Sequence, residues 1–180
     1  MEVTETGIEG LLVIKPKVFG DERGYFFESY HVQSFQKIGI EADFMQDNES
    51  LSAKGVLRGL HFQQPPFAQG KLVRVITGKV LDVAVDIRKN SPTYGEHYMV
   101  ELSADNKLLF WIPPGFAHGF IALEDHTIFS YKCTNVYSKE SEGCIVWNDP
   151  DLAINWGYAE PLVSAKDKEG AGFKEFISPF

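Results

Sequence analysis

Apolar and polar residues alternate with a period of two through much of the chain, as they do along half-buried β-strands. The alternation is clearest from 79 to 87. One face of that segment carries Leu81, Val83, Val85 and Ile87, and the other carries Asp82, Asp86 and, just beyond, Arg88. In 127–135 the same period places Phe129, Tyr131 and Cys133 on one side of a strand. We therefore expect Tyr131 to face inward.

Similar strand-like segments recur at short intervals and are separated by Gly, Asn and Pro. They run over 56–63, 71–76, 80–88, 97–103, 108–112 and 127–135. The run Pro113-Pro114-Gly115 predicts a tight turn, after which an apolar segment containing His118 re-enters the core. Short strands with this spacing are typical of a sandwich or a barrel, and not of alternating β-α units.

The N-terminal part gives less regular signals. Residues 8–18 predict an edge strand, because Pro16 would interrupt the hydrogen bonds of a central one. A turn is expected at 19–24, with Arg23 at its rim, and the aromatic run 25–30 predicts a further strand.

One short helix is predicted at 31–38, with Gly39 as the residue that ends it. The tail from Trp147 onward has the composition of a loop. No repeat or linker divides the 180 residues. We expect a single mainly β domain over 1–180, a sandwich or barrel with a few short helices.

Composition narrows the possible partners. The formal net charge is −8 and the sequence pI is about 5.1, which argues against nonspecific binding of nucleic acid, since that requires a basic face. A small anionic ligand stays possible if cationic side chains gather locally. The candidates for such a cluster are Arg23, Arg58, Lys71 and Lys166.

The two cysteines, Cys133 and Cys144, are too few for a disulfide framework and lack the spacing of a metal site. We interpret them as buried apolar filler in a reducing compartment. The N-terminal residues lack the basic and apolar regions of a signal peptide, and no apolar run is long enough to span a membrane. A cytoplasmic protein without membrane contact is therefore expected.

The segment Leu57–Gln63 contains the most suggestive chemistry. His61 is a candidate base and Arg58 a candidate anion-binding residue, although strict alternation puts residues three apart on opposite faces. Either a bulge at Gly59 or an approach of Arg58 from the strand end would reconcile the two.

Pro-Pro-Gly-Phe-Ala-His (113–118) resembles the second metal-binding motif of cupins, but the first motif is incomplete. A metal-binding cupin needs a His-x-His pair followed by Glu, since three protein ligands are required to hold a divalent ion. Here Gln63 follows His61, no Glu has the expected spacing, and the cation Lys71 stands near the carboxylate position. We expect a pocket without metal or other cofactor.

A metal-free pocket with these side chains suits proton transfer beside a ketone. Imidazole titrates near neutral pH, so His61 can accept a proton and release it again. Lys71 can stabilise an enolate oxygen, and Tyr131 can donate a proton from the opposite face. Asp167 can fix the tautomer of the imidazole. Each residue alone has an ordinary structural interpretation, and only the set supports catalysis.

At this point the motifs, taken together, resemble those of the dTDP-4-dehydrorhamnose 3,5-epimerase family over nearly the whole chain. In order they are Asp-Glu-Arg-Gly-Tyr-Phe-Phe-Glu-Ser-Tyr (21–30), Gln-Asp-Asn (46–48), Gly-Val-Leu-Arg-Gly-Leu-His-Phe-Gln (55–63), Gln-Gly-Lys-Leu-Val-Arg-Val (69–75), Asp-Val-Ala-Val-Asp-Ile-Arg (82–88), Ile-Pro-Pro-Gly-Phe-Ala-His-Gly-Phe (112–120), Tyr-Lys-Cys-Thr (131–134), Trp-Asn-Asp-Pro (147–150) and Ser-Ala-Lys-Asp (164–167). Four residues, Glu49, Phe62, His97 and Cys144, depart from the pattern expected of that family.

The resemblance implies a mainly β fold, a double-stranded β-helix jelly roll of the cupin type with a few short helices. It also implies a dimer that epimerises C3 and C5 of dTDP-4-dehydro-6-deoxy-D-glucose without a cofactor, in dTDP-L-rhamnose biosynthesis. It implies that His61 is the proton acceptor with Asp167 as its partner, that Tyr131 is the proton donor, and that Lys71 stabilises the enolate. The substrate contacts that it implies are Arg23, Phe26, Glu28, Gln46, Asn48, Arg58, His118, Glu142 and Lys166, of which Arg23 and Glu28 reach the site of the partner subunit.

Three other functions fit the same residues. A related enzyme would epimerise one carbon only or isomerise the ketone between C3 and C4 of a dTDP-4-keto sugar. A non-catalytic protein would bind the sugar nucleotide in the same pocket. A metal-dependent oxygenase would need His61 and His118 as ligands of an ion, which the incomplete motif disfavours.

Overall fold

The computed structural model describes all 180 residues. Its strands are, in chain order, β1 (Glu2–Glu5), β2 (Leu12–Lys15), β3 (Phe19–Asp21), β4 (Gly24–Phe26), β5 (Gln46–Ser52), β6 (Val56–Gln63), β7 (Lys71–Thr77), β8 (Lys79–Asp86), β9 (His97–Ser103), β10 (Leu109–Ile112), β11 (Phe116–Ala122), β12 (Thr127–Cys133), β13 (Glu142–Cys144) and β14 (Leu162–Val163). The helices are α1 (Val32–Gln36), α2 (Ala165–Lys168) and a 3₁₀ turn at Lys139–Ser141.

Two antiparallel sheets form the body of the molecule. The first has the strand order β1-β2-β10-β7-β12-β5, and the second has the order β13-β6-β11-β8-β9. Strand β14 pairs with β6 in parallel, and β3 and β4 form a separate hairpin. Consecutive strands that cross between two sheets, with only short helices, confirm the predicted mainly β jelly roll.

The alternation seen in the sequence decides which residues fill the space between the sheets. One cluster of buried side chains joins Val73, Phe110 and Phe129 of the first sheet to Ala84 and Phe120 of the second. As predicted, the other face of β8 carries Leu81, Val83 and Val85, which pack in a different cluster. Tyr131 packs against the cluster between the sheets, so its predicted inward direction is confirmed.

Segments outside the sheets cover their outer faces. The C-terminal segment packs Leu152, Trp156 and Phe176 behind the second sheet. Phe35 of α1 and Ile40 pack behind the first sheet. None of the helices combines the length and the apolar character that crossing a bilayer requires.

The prediction of an edge strand over 8–18 is wrong. Strand β2 pairs with both β1 and β10, so the edge of the sheet is β1, which the sequence did not predict. Pro16 lies immediately after the last residue of β2 and interrupts no ladder. The strand predicted at 25–30 is also too long, because only Gly24–Phe26 is extended, in the exposed β3–β4 hairpin.

The predicted helix at 31–38 is confirmed as the shorter α1. Gly39 has φ +83° and donates its N–H to the carbonyl of Gln36 at 3.0 Å, while Ile40 donates to Phe35 at 3.0 Å. This is a Schellman ending, which needs a left-handed residue that glycine supplies at little steric cost. The tail was expected to be loop, but it also contains β14 and α2, which were too short to give a periodic signal.

Candidate active site

A β-bulge in β6 settles how Arg58 and His61 reach the same face. Phe120 of β11 is opposite Arg58, and His118 is opposite His61. Two steps along β11 therefore correspond to three steps along β6, which inserts one extra residue at Gly59–Leu60. The bulge at Gly59 is the first of the two explanations considered from the sequence, and both side chains line one cavity.

Only glycine fits at the bulge. Gly59 has φ +131°, and a Cβ atom there would lie 2.5 Å from Cα of Gly119 and 2.8 Å from the carbonyl oxygen of His118. The two strands approach each other this closely because both positions lack side chains.

His61 is held by Asp167 from the opposite end of the chain. Its Nε2 lies 2.7 Å from Oδ1 of Asp167, and the backbone N–H of Gly59 donates to Oδ2 at 3.3 Å. Ser164 caps α2 by accepting from the N–H of Asp167 at 3.1 Å, which orients the carboxylate. Burial alone would raise the pKa of Asp167, but the hydrogen bonds from His61 and Gly59 outweigh it and lower this pKa.

The first sheet contributes Lys71 and Tyr131 to the opposite wall. Both are half-buried, and neither side chain makes a hydrogen bond or ion pair within the protein. Burial lowers the pKa of Lys71, with Cys133, Asp82 and Glu142 opposing the shift. Burial raises the pKa of Tyr131, so its hydroxyl keeps its proton well into the alkaline range.

His118 is fixed by Asp82, a residue that was not singled out from the sequence. Its Nε2 lies 2.9 Å and 3.1 Å from the two carboxylate oxygens, and Asp82 is completely buried. Burial lowers the pKa of His118 despite the adjacent carboxylate. The sequence placed Asp82 on the polar face of β8, and only the burial of that face shows that its carboxylate needs a partner.

The cavity between the sheets has two lobes that meet at His61, Lys71 and Tyr131. The amide lobe has a volume of about 360 Å³ and is lined also by Gln46, Asn48, Phe62, Gln63, Gln69, Tyr137 and Glu142. The arginine lobe has a volume of about 580 Å³, and its polar lining comprises Ser50, Arg58, His118, Ser164, Lys166 and Asp167. Together they are large enough for a ligand of sugar-nucleotide size.

In the amide lobe, polar side chains hold one another in place. Gln46 donates to Oδ1 of Asn48 at 2.9 Å. Glu142 pairs with Nζ of Lys166 at 2.5 Å and accepts from the hydroxyl of Tyr137 at 2.9 Å. Burial acts to raise the pKa of Glu142, but these two contacts lower it overall. Tyr137 was missed in the sequence because its neighbours 135–138 form no periodic element.

In the arginine lobe, Arg58 extends along β5. Its Nε donates to Oγ of Ser52 at 3.2 Å, and Nη2 donates to the carbonyl of Leu51 at 3.3 Å. The guanidinium has no carboxylate partner there, so its charge is available to an anionic ligand. Ser50 has a buried hydroxyl without a hydrogen-bond partner in the same lobe.

The interpretation of the cysteines as buried filler is confirmed for Cys133 and wrong for Cys144. Both are free thiols, but only Cys133 is fully buried. Cys144 is directly opposite His61 across the β13–β6 pair. Burial raises the pKa of Cys144 to about 11, and the charge of Asp167 adds to this shift.

The structure places three of the predicted substrate contacts away from the cleft. Arg23 and Phe26 lie on the β3–β4 hairpin and line a separate cavity, and Arg23 pairs with Asp21 of the same hairpin. Glu28 is exposed and does not line either lobe. The other predicted site residues, from seven different segments of the chain, line the cleft.

The assembled groups define a class of reaction. The cleft combines an imidazole oriented by a carboxylate, a half-buried ammonium group and a protonated phenol. Such a set can remove a proton beside a carbonyl, stabilise the resulting enolate and return a proton. The fold and the cleft are thus those of a jelly-roll isomerase that works by proton transfer at carbon.

Comparison with known proteins identifies the family. The family described as dTDP-4-dehydrorhamnose 3,5-epimerase matches residues 5–175. The chain is 57% identical to the dTDP-4-dehydrorhamnose 3,5-epimerase of Salmonella typhimurium, over 93% of this chain and 92% of that protein. It is 52% identical to that of Escherichia coli K12, over 98% and 97% of the two chains. The chain belongs to the dTDP-4-dehydrorhamnose 3,5-epimerase family.

Solved structures agree with this assignment. The epimerase from Elizabethkingia anophelis superposes with a TM-score of 0.93 at 49% identity and covers 97% of each chain. The epimerase from Legionella pneumophila, solved in complex with dTDP-4-keto-L-rhamnose, has a TM-score of 0.93 at 48% identity, over 98% of this chain and 94% of that one. The enzyme class and the jelly-roll fold expected from the sequence are confirmed.

Proposed function

We propose that this chain converts dTDP-4-dehydro-6-deoxy-D-glucose into dTDP-4-dehydro-L-rhamnose, in dTDP-L-rhamnose biosynthesis, by inverting C3 and C5. The observation that carries the proposal is the His61–Asp167 contact of 2.7 Å at a cleft that also contains Lys71 and Tyr131. The reaction needs no redox step, because both inverted carbons are next to the C4 ketone and are therefore carbon acids.

In the first step, His61 takes a proton from C3 or C5. The contact between Asp167 and Nε2 leaves Nδ1 as the ring nitrogen that accepts the proton. The electron pair of the broken C–H bond forms a double bond between that carbon and C4. The π electrons of the C4 carbonyl move onto its oxygen, which gives the enolate. Asp167 stabilises the imidazolium that forms, because its carboxylate stays ionised.

In the second step, Lys71 stabilises the negative oxygen and Tyr131 protonates the carbon from the other face. The two residues come from the first sheet, whereas His61 comes from the second, so the substrate lies between base and donor. Tyr131 suits this role because its raised pKa keeps the hydroxyl protonated before the transfer. His61 then releases its proton to solvent, and Tyr131 regains one.

The remaining polar residues of the cleft bind the rest of the substrate in this proposal. Arg58 provides positive charge for the diphosphate, and Gln46 and Asn48 provide hydrogen bonds at the other lobe. His118, Glu142 and Lys166 complete the predicted contacts, each held by a buried or ion-paired partner. No residue role requires a metal or another cofactor.

Incubation with substrate in deuterated water tests the reaction. We expect deuterium at both C3 and C5 of the product, because every inversion replaces a carbon-bound proton by one from solvent. NMR of the product assigns each carbon. Absence of deuterium at both carbons, with the nucleotide still bound, would leave a sugar-nucleotide binder as the better description.

The Tyr131→Phe variant separates the two steps. Removal of the hydroxyl is expected to lower net epimerisation by roughly 10²-fold or more, the lower end for a general acid, while the initial exchange at the carbon falls less. Exchange is read by deuterium loss from labelled substrate and net turnover by product formation. Unchanged epimerisation would exclude Tyr131 as the donor.

A single-carbon epimerase is the second candidate. The 3′-monoepimerase from Streptomyces bikiniensis is 32% identical to this chain with a TM-score of 0.87, over 92% of this chain and 85% of that one. Deuterium at C3 alone in the same experiment would support this alternative over the 3,5-epimerase.

We also propose that residues 1–180 act as one domain in a homodimer, with Arg23 and Glu28 reaching the partner's cleft. The family match over 5–175 supports the single domain. The β3–β4 hairpin supports the dimer, since Phe19, Tyr25 and Phe26 are 53%, 60% and 67% exposed. A cluster of this kind is typical of an interface. The two free cysteines support a reducing, cytoplasmic location.

Mixing two impaired variants tests the shared site. Arg23→Ala and His61→Asn homodimers are both expected to be weakly active. Subunit exchange between them should restore activity, because one cleft of each mixed dimer then has both native residues. A monomeric mass in solution would count against the proposal. So would unchanged activity in a mixture in which mass spectrometry has verified that mixed dimers form.

A further inference from the structure

Three possible metal ligands converge beside the cleft. His61, Cys144 and Asp167 each place one ligand atom within 4.8 Å of the other two. His61 and Asp167 are already in contact, and Cys144 is fixed opposite His61 by the pairing of β13 with β6. Residues opposite each other in antiparallel strands have their side chains on the same face of the sheet.

This ligand set differs from the one considered in the sequence. His118 flanks His61 on the other side, but its Nε2 is engaged by Asp82. The cation Lys71 lines the cavity with His61 from the opposite sheet, but the charged groups that act on Cys144 are Asp167, Lys166 and Glu142. Lys166 is paired with Glu142 at 2.5 Å, which reduces its repulsion of a second cation.

We propose that His61, Cys144 and Asp167 form an inhibitory Zn²⁺ site. Thiolate, imidazole and carboxylate are the three ligand types of zinc sites, and three protein ligands leave a fourth position for water. A tetrahedral ion holds such ligand atoms roughly 3.4–3.6 Å apart. Side-chain shifts on the order of 1 Å therefore convert the present arrangement into a coordination shell. Hard ions such as Mg²⁺ are disfavoured by the sulfur ligand.

Inhibition follows from the ligands that the ion takes. Zn²⁺ on the imidazole lowers its basicity, and Zn²⁺ on Asp167 removes the negative charge that stabilises the imidazolium. This part rests on the proposed function of His61, whereas binding of the ion does not. Catalysis itself stays independent of metal, and the ion acts only as an inhibitor.

Binding is tested with the intact protein and with Co²⁺ as a spectroscopic substitute for Zn²⁺. A phosphine reductant is present to keep the thiols reduced. We expect one equivalent to bind, with a sulfur-to-cobalt charge-transfer band that Zn²⁺ abolishes. Cys144→Ser should remove the band and weaken Zn²⁺ binding, measured by equilibrium dialysis, at least about tenfold. Cys133→Ser is the matched control and should retain both, because that thiol is not part of the cluster.

Inhibition is tested separately with the deuterium exchange assay. Zn²⁺ is expected to inhibit the native enzyme reversibly, with recovery on addition of a chelator. The Cys144→Ser variant should need at least about tenfold more Zn²⁺ for the same inhibition, and Cys144→Ala serves as a second variant if serine perturbs folding. No bound equivalent, or binding without a thiolate band that Cys144→Ser leaves unchanged, would overturn the proposal. Binding without inhibition would overturn the inhibitory role of the site, and the exchange rate of the His61→Asn variant tests separately whether His61 is the base.

Discussion

The His61→Asn variant is expected to lose solvent exchange at both C3 and C5 and to lower turnover by roughly 10²- to 10⁴-fold, the usual contribution of a general base. Asparagine keeps a polar group near Asp167, so the 2.7 Å contact is replaced and not merely removed. The amide has no basic nitrogen, however, and cannot accept the proton from carbon. Deuterium wash-in followed by NMR measures the loss directly.

Two controls separate loss of the base from loss of the site. Binding of dTDP to His61→Asn should stay within a few-fold of the native value, because the nucleotide contacts proposed here lie elsewhere in the cleft. Asp167→Asn should retain His61 but lose the charge that stabilises the imidazolium, so its exchange should be slow and not absent. Native exchange rates in His61→Asn would transfer the role of base to another residue.

The Lys71→Met variant is expected to lower turnover by roughly 10²- to 10³-fold, the range for removal of a group that stabilises an oxyanion. Methionine preserves much of the aliphatic length of lysine but has no charge. Lys71 makes no ion pair within the protein, so its removal leaves no buried partner uncompensated and the fold should be retained. Steady-state kinetics and a thermal unfolding curve check the two expectations.

The dependence of activity on pH tests independently whether the charge of Lys71 is needed. Burial lowers its pKa, and the enolate needs the charged ammonium, so activity should fall as pH rises through this lowered pKa. Burial raises the pKa of Tyr131, which would therefore lose its proton only at higher pH. Lys71→Arg should shift the alkaline limb to higher pH, because the guanidinium group stays charged at pH values where an ammonium group loses its proton. If activity of the Lys71→Arg variant falls over the same alkaline pH range as that of the native enzyme, the titration of Lys71 is not the cause of the fall.

Much of the fold follows from local sequence patterns. The period-two alternation predicted which residues of β8 share a face and that Tyr131 of β12 points inward, and the left-handed glycine at Gly39 ended the predicted helix. The main error, the edge strand at 8–18, has a physical cause. Whether a strand is central depends on its neighbours. Strand β1, which pairs with β2, has no buried residue, so its sequence carries no hydrophobic pattern that would predict a strand.

The site was predicted as a set of residue types, and its arrangement came from long-range packing. Strand alternation predicted the direction of Tyr131, but it put Arg58 and His61 on opposite faces. The bulge that reunites them depends on the close approach of Gly59 to Gly119, sixty positions further along the chain. The pairing of His118 with Asp82 and the position of Cys144 opposite His61 likewise arise between strands.

By itself, the sequence determined the secondary structure of the central strands, the β class, the family and the kinds of chemical groups available. These depend on short-range periodicity and on motifs that are read directly along the chain. Only the tertiary structure decided the bulge, the capped orientation of Asp167 against His61 and the thiol beside them. Each of these joins residues separated by tens of positions, and their relative geometry is fixed by sheet register and close packing, which no local pattern encodes.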